Sequence, residues 1–170
     1  MELTPYIKPG NWWHRRWMER LPHLSTPSFD PEVFDNTCFQ VWAQDDVERK
    51  GETLFALSTE GARSYRGIGS FLRSHDAKLA CLITAWNPDS QPKPLSVNEA
   101  ANLKLLAELE ATGLPIYPAR GTSMEEGCNW FEDSFLIVGG RYEQYVEWQK
   151  KFGQLAFVIF RTDGAVELRW

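Results

Sequence analysis

Apolar and polar positions along the chain alternate between strand-like and helix-like segments. Residues 38–43 and 53–58 have the period of two that is typical of half-buried strands, and a charged turn separates them. Residues 65–74 and 141–152 have apolar side chains at helical spacing, whereas residues 79–85 are apolar on both faces, as in a central strand. This pattern predicts an α/β fold: a single layered domain with a mixed central sheet of about five to seven strands flanked by helices.

The best-marked element is a helix predicted over residues 96–111. Ser96 and Glu99 have the spacing of a capping box, which satisfies free backbone N–H groups at a helix start. Helical phasing places Asn98 and Asn102 on the same inward stripe as the leucines of the later turns. Two carboxamides are therefore expected at one end of an otherwise apolar helix contact.

Residues 1–34 differ in composition from the predicted α/β domain, which we assign to residues 35–170. This N-terminal arm contains several prolines and a short tryptophan-rich helical candidate. The simpler interpretation is that the arm packs one aromatic face on the domain. The alternative is that Trp12, Trp13 and Arg16 stack on a ligand or a partner, because aromatic and arginine side chains often anchor interfaces.

The composition limits the partners and the location. The 170 residues contain 18 Lys and Arg against 23 Asp and Glu, a net charge of -5, so extended nucleic-acid binding is not expected. No apolar run approaches the roughly 20 residues of a membrane span, and the N-terminus lacks the apolar stretch of a signal peptide. We therefore expect a cytoplasmic protein that does not enter a membrane, whereas the oligomeric state stays open.

Motifs for cofactors and metals are sparse. The three cysteines form no Cys-x-x-Cys pair, which argues against a disulfide framework or a zinc site. Gly67-Ile-Gly69 lacks the third glycine of a dinucleotide-binding loop, and the chain contains neither a P-loop nor a His-rich metal motif. The sequence therefore predicts no cofactor and no metal. Cys128, in a polar loop, is either a reactive thiol or a small half-buried side chain.

A polar rim follows the predicted central strand. The strand runs into Thr84, Asn87 and Ser90 before the 96–111 helix. Because strand ends and helix N-termini converge on ligand-binding crevices in layered α/β proteins, we predict a crevice here. Hydroxyls and carboxamides suit an uncharged polar edge of a ligand, and the free N–H groups of a helix start suit a phosphate. The predicted ligand-binding residues are Thr84, Asn87, Ser90, Asn98, Asn102, Trp130 and Gln154.

A purely structural interpretation of the same polar residues stays open. Asn87 and Pro88 are also suited to capping a turn, and Asn98 and Asn102 are suited to tying that turn to the helix. Gln154 is suited either to reaching the crevice or to orienting the backbone.

Glu132 is the predicted acid–base, and hence catalytic, residue. It lies between aromatic residues and an apolar strand, where loss of solvation raises a carboxyl pKa towards neutrality. Trp130, close by in sequence, either stacks on a planar ligand or covers the core. The alternative for Glu132 and Asp133 is a charged pair that caps the strand in solvent.

Four motifs carry a family resemblance. They are Ile83-Thr-Ala-Trp-Asn-Pro-Asp-Ser90, the helix asparagines at 98 and 102, Trp130-Phe-Glu-Asp-Ser-Phe-Leu-Ile-Val138, and Phe152-Gly-Gln154. In order and spacing they resemble the bacterial domain-of-unknown-function family 3293 over roughly residues 53–168. Residues 1–34 lie outside the resemblance, and residues 124–128 depart from the more glycine-rich loop of the family. The resemblance supplies motif positions and implies no activity.

Two functions of different classes are compatible with these features. In the first, the crevice at the start of the 96–111 helix binds, and in one version processes, a small polar metabolite of nucleotide-like character. In the second, the protein is a non-enzymatic interaction, inhibitor or immunity-type protein that engages a protein partner through the tryptophan-rich arm and the acidic surface. The sequence leaves open whether any reaction is catalysed.

Overall fold

A computed structural model of the chain describes residues 37–58, 67–124, 126–127 and 129–169. The predicted N-terminal arm, residues 1–34, and Cys128 lie outside the described residues. The strands in the described part of the chain are β1 (Thr37–Val41), β2 (Phe55–Ser58), β3 (Leu79–Ile83), β4 (Ile116–Ser123), β5 (Phe131–Val138), β6 (Phe157–Arg161) and β7 (Val166–Arg169). The helices there are α1 (Ile68–Ser74), α2 (Leu95–Glu110) and α3 (Tyr142–Lys151), and a 3-10 turn covers Pro88–Ser90.

The seven strands form one sheet in the order β2-β1-β4-β5-β3-β6-β7, and every pairing is antiparallel. The predicted α/β class and the number of strands are confirmed. The prediction of a mixed sheet was wrong. A strand that is apolar on both faces, such as residues 79–85, is typical of parallel sheets. Here β3 has that pattern because hydrophobic clusters cover both faces of an antiparallel sheet.

The two hydrophobic clusters lie on opposite faces of the sheet. Side chains of β3 alternate between them, as the pleat of a strand requires: Leu82 joins the cluster under α1, and Cys81 joins the cluster under α2 and α3. Leu72 of α1, Leu105 of α2 and Tyr145 of α3 are each 0% exposed. Burial stabilises the fold by about 1.5–3 kcal/mol for each such leucine, so packing anchors the helices. No helix in the described part of the chain is long and apolar enough to cross a membrane.

Helix α2 begins at Leu95, one residue before its predicted start, with Pro94 as the flanking residue. The predicted capping box was wrong. Pro94 leads into the helix with φ -53° and ψ 147°, so Ser96 already lies inside the first turn, and no side chain caps the helix start. The predicted inward stripe is confirmed, because Asn98 and Asn102 are both buried.

The ends of three neighbouring strands meet at one end of the sheet. β3 ends at Ile83 and β4 ends at Ser123, whereas β5, which lies between them and runs in the opposite direction, begins at Phe131. Antiparallel pairing therefore brings the residues that follow β3 close to the first residues of β5. The predicted crevice residues converge here from β3, β5 and α2.

Candidate functional site

The polar rim begins where β3 leaves the sheet. The ladder between β3 and β5 ends at Ile83, so the next backbone groups need other partners. Asn102 of α2 supplies them: its Oδ1 accepts the Ala85 N–H at 2.8 Å, and its Nδ2 donates to the Asp133 carbonyl oxygen at 2.7 Å. Thr84 Oγ1 donates to the same Asp133 carbonyl oxygen at 2.6 Å. Side chains thus replace backbone pairing at this end of the sheet.

The loop that follows β3 has a strained backbone. Asn87, Asp89 and Ser90 have positive φ values of 45°, 56° and 53°. Such left-handed conformations cost about 1–3 kcal/mol each for non-glycine residues and persist only where the surroundings hold them. Asn98 of α2 holds this loop, since its Oδ1 accepts the Asn87 N–H at 2.9 Å and its Nδ2 donates to Asn87 Oδ1 at 2.8 Å. The Lys93 N–H also donates to Asn87 Oδ1, at 3.0 Å.

The residues that follow α3 fasten the same loop from another side. Gln154 Nε2 donates to the Trp86 carbonyl oxygen at 3.1 Å. The Asp89 N–H donates to the Gly153 carbonyl oxygen at 2.7 Å. Gly153 has a φ of 64°, and a Cβ at this position would lie 3.2 Å from the Pro88 Cβ, so a larger residue would crowd the loop. Gln154 therefore reaches the rim by hydrogen bonding to the backbone of Trp86.

The structure brings most of the predicted ligand-binding residues together around this loop. The residues joined to it by hydrogen bonds are Thr84, Asn87, Asn98, Asn102 and Gln154. Ser90 ends the 3-10 turn, and Trp130 is half-buried just before β5. These hydrogen bonds are the ones that the structural interpretation expects, with asparagines tying the turn to the helix. Contact with a ligand stays a prediction for every one of these residues.

Glu132 lies next to the loop and is half-buried. Burial raises the pKa of its carboxyl from the ordinary value of 4.5 to about 8, and a hydrogen bond with the Asn87 side chain opposes part of this rise. Among the described residues, no Lys, Arg or His forms an ion pair with Glu132. The carboxyl therefore titrates near neutral pH, as an acid–base group requires.

Asp133 lies on the opposite face of β5 and has a different environment. Its register partner Arg120 donates from Nε to Asp133 Oδ1 at 2.6 Å, and Arg49 Nε lies 3.6 Å from the same oxygen. Neither Glu132 nor Asp133 is exposed, so the alternative of a charged pair in solvent was wrong. Since Asp133 is ion-paired and Glu132 is not, the predicted acid–base role stays with Glu132.

The two arginines beside Asp133 were not predicted from the sequence. Arg49 belongs to a charged turn whose pattern indicates solvent exposure, yet its side chain is only 10% exposed. Its φ is 57°, and its guanidinium donates to the carbonyl oxygens of Ala119 at 2.8 Å and Ser134 at 3.1 Å. Arg120 lies within β4, and the sequence around it does not indicate that it pairs with Asp133. The register of the sheet pairs Arg120 with Asp133, and the turn that follows β1 brings Arg49 to the same carboxylate.

Metal-binding and nucleophilic side chains do not add to this site. In the part of the chain that the structure describes, no group of three or more His, Cys, Asp and Glu side chains could hold a metal ion. Cys38 is half-buried and Cys81 is buried, and burial raises the pKa of both thiols. A raised pKa disfavours the thiolate, so neither thiol is activated as a nucleophile.

Fold and site together define an α/β protein with an antiparallel sheet and a polar rim at one end of it. Residues 83–157 match the model of a family described as Protein of unknown function (DUF3293). The predicted resemblance is confirmed over this range, which is shorter than the predicted span and contains every predicted site residue. Comparison with curated proteins gave no match, and comparison with solved structures gave none either.

Replacing Asn102 by alanine is expected to lower the free energy of unfolding by about 1–3 kcal/mol, because the Ala85 N–H and the Asp133 carbonyl lose a buried partner. Chemical denaturation of wild type and variant measures the difference. Asn129→Ala is the matched control: Asn129 is exposed, and its replacement should change the unfolding free energy by less than about 0.5 kcal/mol. Equal unfolding free energies of wild type and Asn102→Ala would contradict the stabilising role of these two hydrogen bonds.

The stability of wild type relative to Glu132→Gln is expected to depend on pH. Below the ordinary pKa of 4.5 the carboxyl is protonated in both the folded and the unfolded state, so its contribution is constant. Between pH 4.5 and about 8 only the unfolded state ionises, so wild type loses stability relative to the variant as the pH rises, and above that window the loss levels off. Urea unfolding at a series of pH values measures this profile. Glu110→Gln, at an exposed position of α2, is the control, and an equally flat profile for both glutamates would refute the raised pKa.

Proposed function

We propose that this protein binds a small polar metabolite of nucleotide-like character in the crevice between the loop of residues 87–90 and the start of β5. The bound ligand lies near the start of α2 and contacts Glu132. Any processing of the ligand begins with proton transfer to or from the Glu132 carboxyl.

The observation that carries this proposal is the environment of the Glu132 carboxyl. The side chain is half-buried beside a strained loop and has no cationic partner among the described residues. Burying an ionisable group without an ion pair costs stability that an apolar residue of similar size would not cost. Carboxyls with such perturbed pKa values are concentrated at functional sites, where their protonation state is used.

The conformation of the loop supports the same location. Strained non-glycine residues cluster at ligand clamps and active sites, where the surrounding structure holds them in place. Here Asn98, Asn102 and Gln154 hold the rim through its backbone and through Asn87. They act as positioning residues, whereas Glu132 is the group that meets the ligand.

The chemistry of the rim favours an uncharged polar group in the ligand. Asn87 Oδ1 already accepts from Asn98 Nδ2 and from the Lys93 N–H, so it is not the acceptor offered to a ligand. The protonated Glu132 carboxyl both donates and accepts a hydrogen bond. Paired donors and acceptors of this kind match the edge of a nucleobase or an amide. Trp130, half-buried just before β5, provides a surface on which a planar ring stacks.

A thermal-shift panel of nucleosides, nucleotides, sugars and amides tests the proposal. At least one class is expected to raise the melting temperature of wild type, since a ligand at 100 times its Kd stabilises the folded state by about 2.7 kcal/mol. The rise in melting temperature caused by the ligand should become smaller above about pH 8, where Glu132 ionises. Glu132→Gln should remove this pH dependence. Glu110→Gln should behave as wild type. No shift with any compound at millimolar concentration, or the same pH dependence in Glu132→Gln, would overturn the proposal.

One observation favours the second, non-enzymatic function. Helix α2 exposes three large apolar side chains, Leu95, Val97 and Leu103, at 54%, 46% and 67% exposure. A protein partner that covers such side chains gains the free energy of burying them. The second candidate is therefore an interaction, inhibitor or immunity-type protein that binds a protein partner through α2 or through the N-terminal arm.

Partner capture from cell extract with wild type, Leu103→Lys and a form lacking residues 1–34 tests this second candidate. Loss of a partner in Leu103→Lys, with an unchanged circular dichroism spectrum, assigns the interaction to α2. Loss only in the shortened form assigns it to the arm. Lys104→Ala, at an exposed position of the same helix, is the matched control and should keep the partner. The same proteins captured equally by all forms would contradict both assignments.

A further inference from the structure

We propose that Arg120, held by Asp133 and Phe131, forms a second binding site that recognises an anionic group, a carboxylate or a phosphate. The site lies on the face of β5 opposite Glu132. It goes beyond the proposed function, because it does not depend on the Glu132 crevice.

Strand alternation separates the two sites. Glu132 and Asp133 are consecutive residues of β5, so their side chains leave the strand on opposite sides, and Asp133 shares its side with Phe135. The register of β4 and β5 pairs Asp133 with Arg120. A ligand group bound by Arg120 therefore occupies a surface distinct from that of Glu132.

Two contacts fix the guanidinium of Arg120. Nε donates to Asp133 Oδ1 at 2.6 Å, and the guanidinium carbon lies 4.7 Å from the centroid of the Phe131 ring. Phe131 in turn packs against Trp86, with ring centroids 5.6 Å apart. A guanidinium that is already stacked and ion-paired loses little side-chain entropy when it binds a ligand. The planar group is thus oriented before an anion arrives.

Arg120 keeps hydrogen-bond donors available for a ligand. Its Nε is used by Asp133, but among the described residues neither terminal nitrogen, Nη1 or Nη2, has a hydrogen-bond partner. The side chain is 33% exposed, which leaves access from solvent. The two terminal nitrogens present N–H groups in one plane, and this fork matches two oxygens of a carboxylate or a phosphate.

The charge of the cluster also favours an anion. Arg49 and Arg120 share the carboxylate of Asp133, which leaves one positive charge in excess. Arg49 is not available to a ligand, because it is 10% exposed and already donates to three backbone carbonyl oxygens. The strand neighbours on this face, Gln40 and Thr122, are uncharged, so they do not compete for Arg120. The excess charge therefore acts at Arg120.

Nuclear magnetic resonance titration of the full-length, ¹⁵N-labelled protein tests the site. Inorganic phosphate and sodium acetate are the probes, and the arginine Nε–Hε signals and the backbone amides of residues 131–133 are the readout. We expect saturable shifts with at least one probe: saturation by phosphate only identifies a phosphate site, and saturation by acetate only identifies a carboxylate site. Sodium chloride at equal ionic strength controls for screening. Shifts that do not saturate, or that chloride reproduces, would overturn the proposal.

Single substitutions test whether Arg120 itself binds the anion. Arg120→Gln should weaken binding by roughly tenfold to a hundredfold, because hydrogen bonds to a charged donor are lost, and Arg120→Lys should weaken it less, because the charge remains without the fork. Arg141→Gln, at an exposed position, is the matched control and should bind as wild type. Glu132→Gln should also bind as wild type, so failure of the crevice and failure of this site are distinguishable. Equal affinity of wild type and Arg120→Gln would refute the site, and if Arg120→Gln does not fold, saturation in wild type remains decisive.

Discussion

The site depends on the point at which β3 separates from β5. The ladder between these strands stops at Ile83, yet the buried backbone groups beyond it must still be paired. Asn102, which arrives from α2, pairs with an N–H group on the departing chain and with a carbonyl group of β5. A carboxamide is suited to this place because it donates and accepts at once. This tie fixes the backbone from which the loop departs, and Asn98 of the same helix then holds the loop itself.

Strand alternation then gives two adjacent acidic residues different chemistry. Asp133 lies on the face that two arginines reach, where it is ion-paired and orients Arg120. Glu132 lies on the other face, where burial without a cation raises its pKa to about 8. A shift of one residue in the pairing of β5 would exchange the two environments. The register of the sheet, more than the identity of either residue, therefore sets both proposed sites.

The periodicity of apolar residues correctly predicted those features that depend only on the local geometry of a helix. Asn98 and Asn102 fall on the inward face of α2 because helical phasing does not depend on where the helix starts. The start itself was not predicted, since Pro94 opens the helix ahead of the Ser96 that the capping pattern favoured. The direction of the strands was predicted wrongly, since the sheet is antiparallel and not mixed. The apolar run of residues 79–85 indicates that both faces of the strand are covered. Both faces are covered in a parallel sheet, and they are also covered in an antiparallel sheet with helices on both sides.

The arginine cluster could not be predicted, because its cause is long-range. The turn that contains Arg49 is organised locally: the Asp46 carboxylate accepts the N–H groups of Lys50 and Gly51, and these hydrogen bonds lower the pKa of Asp46. That local pattern is the same whether the Arg49 side chain points to solvent or to the sheet. Burial lowers the pKa of Arg49, and the Asp133 charge acts against this effect. A charged turn thus becomes part of an anion site only when the packed sheet brings Asp133 within reach of it.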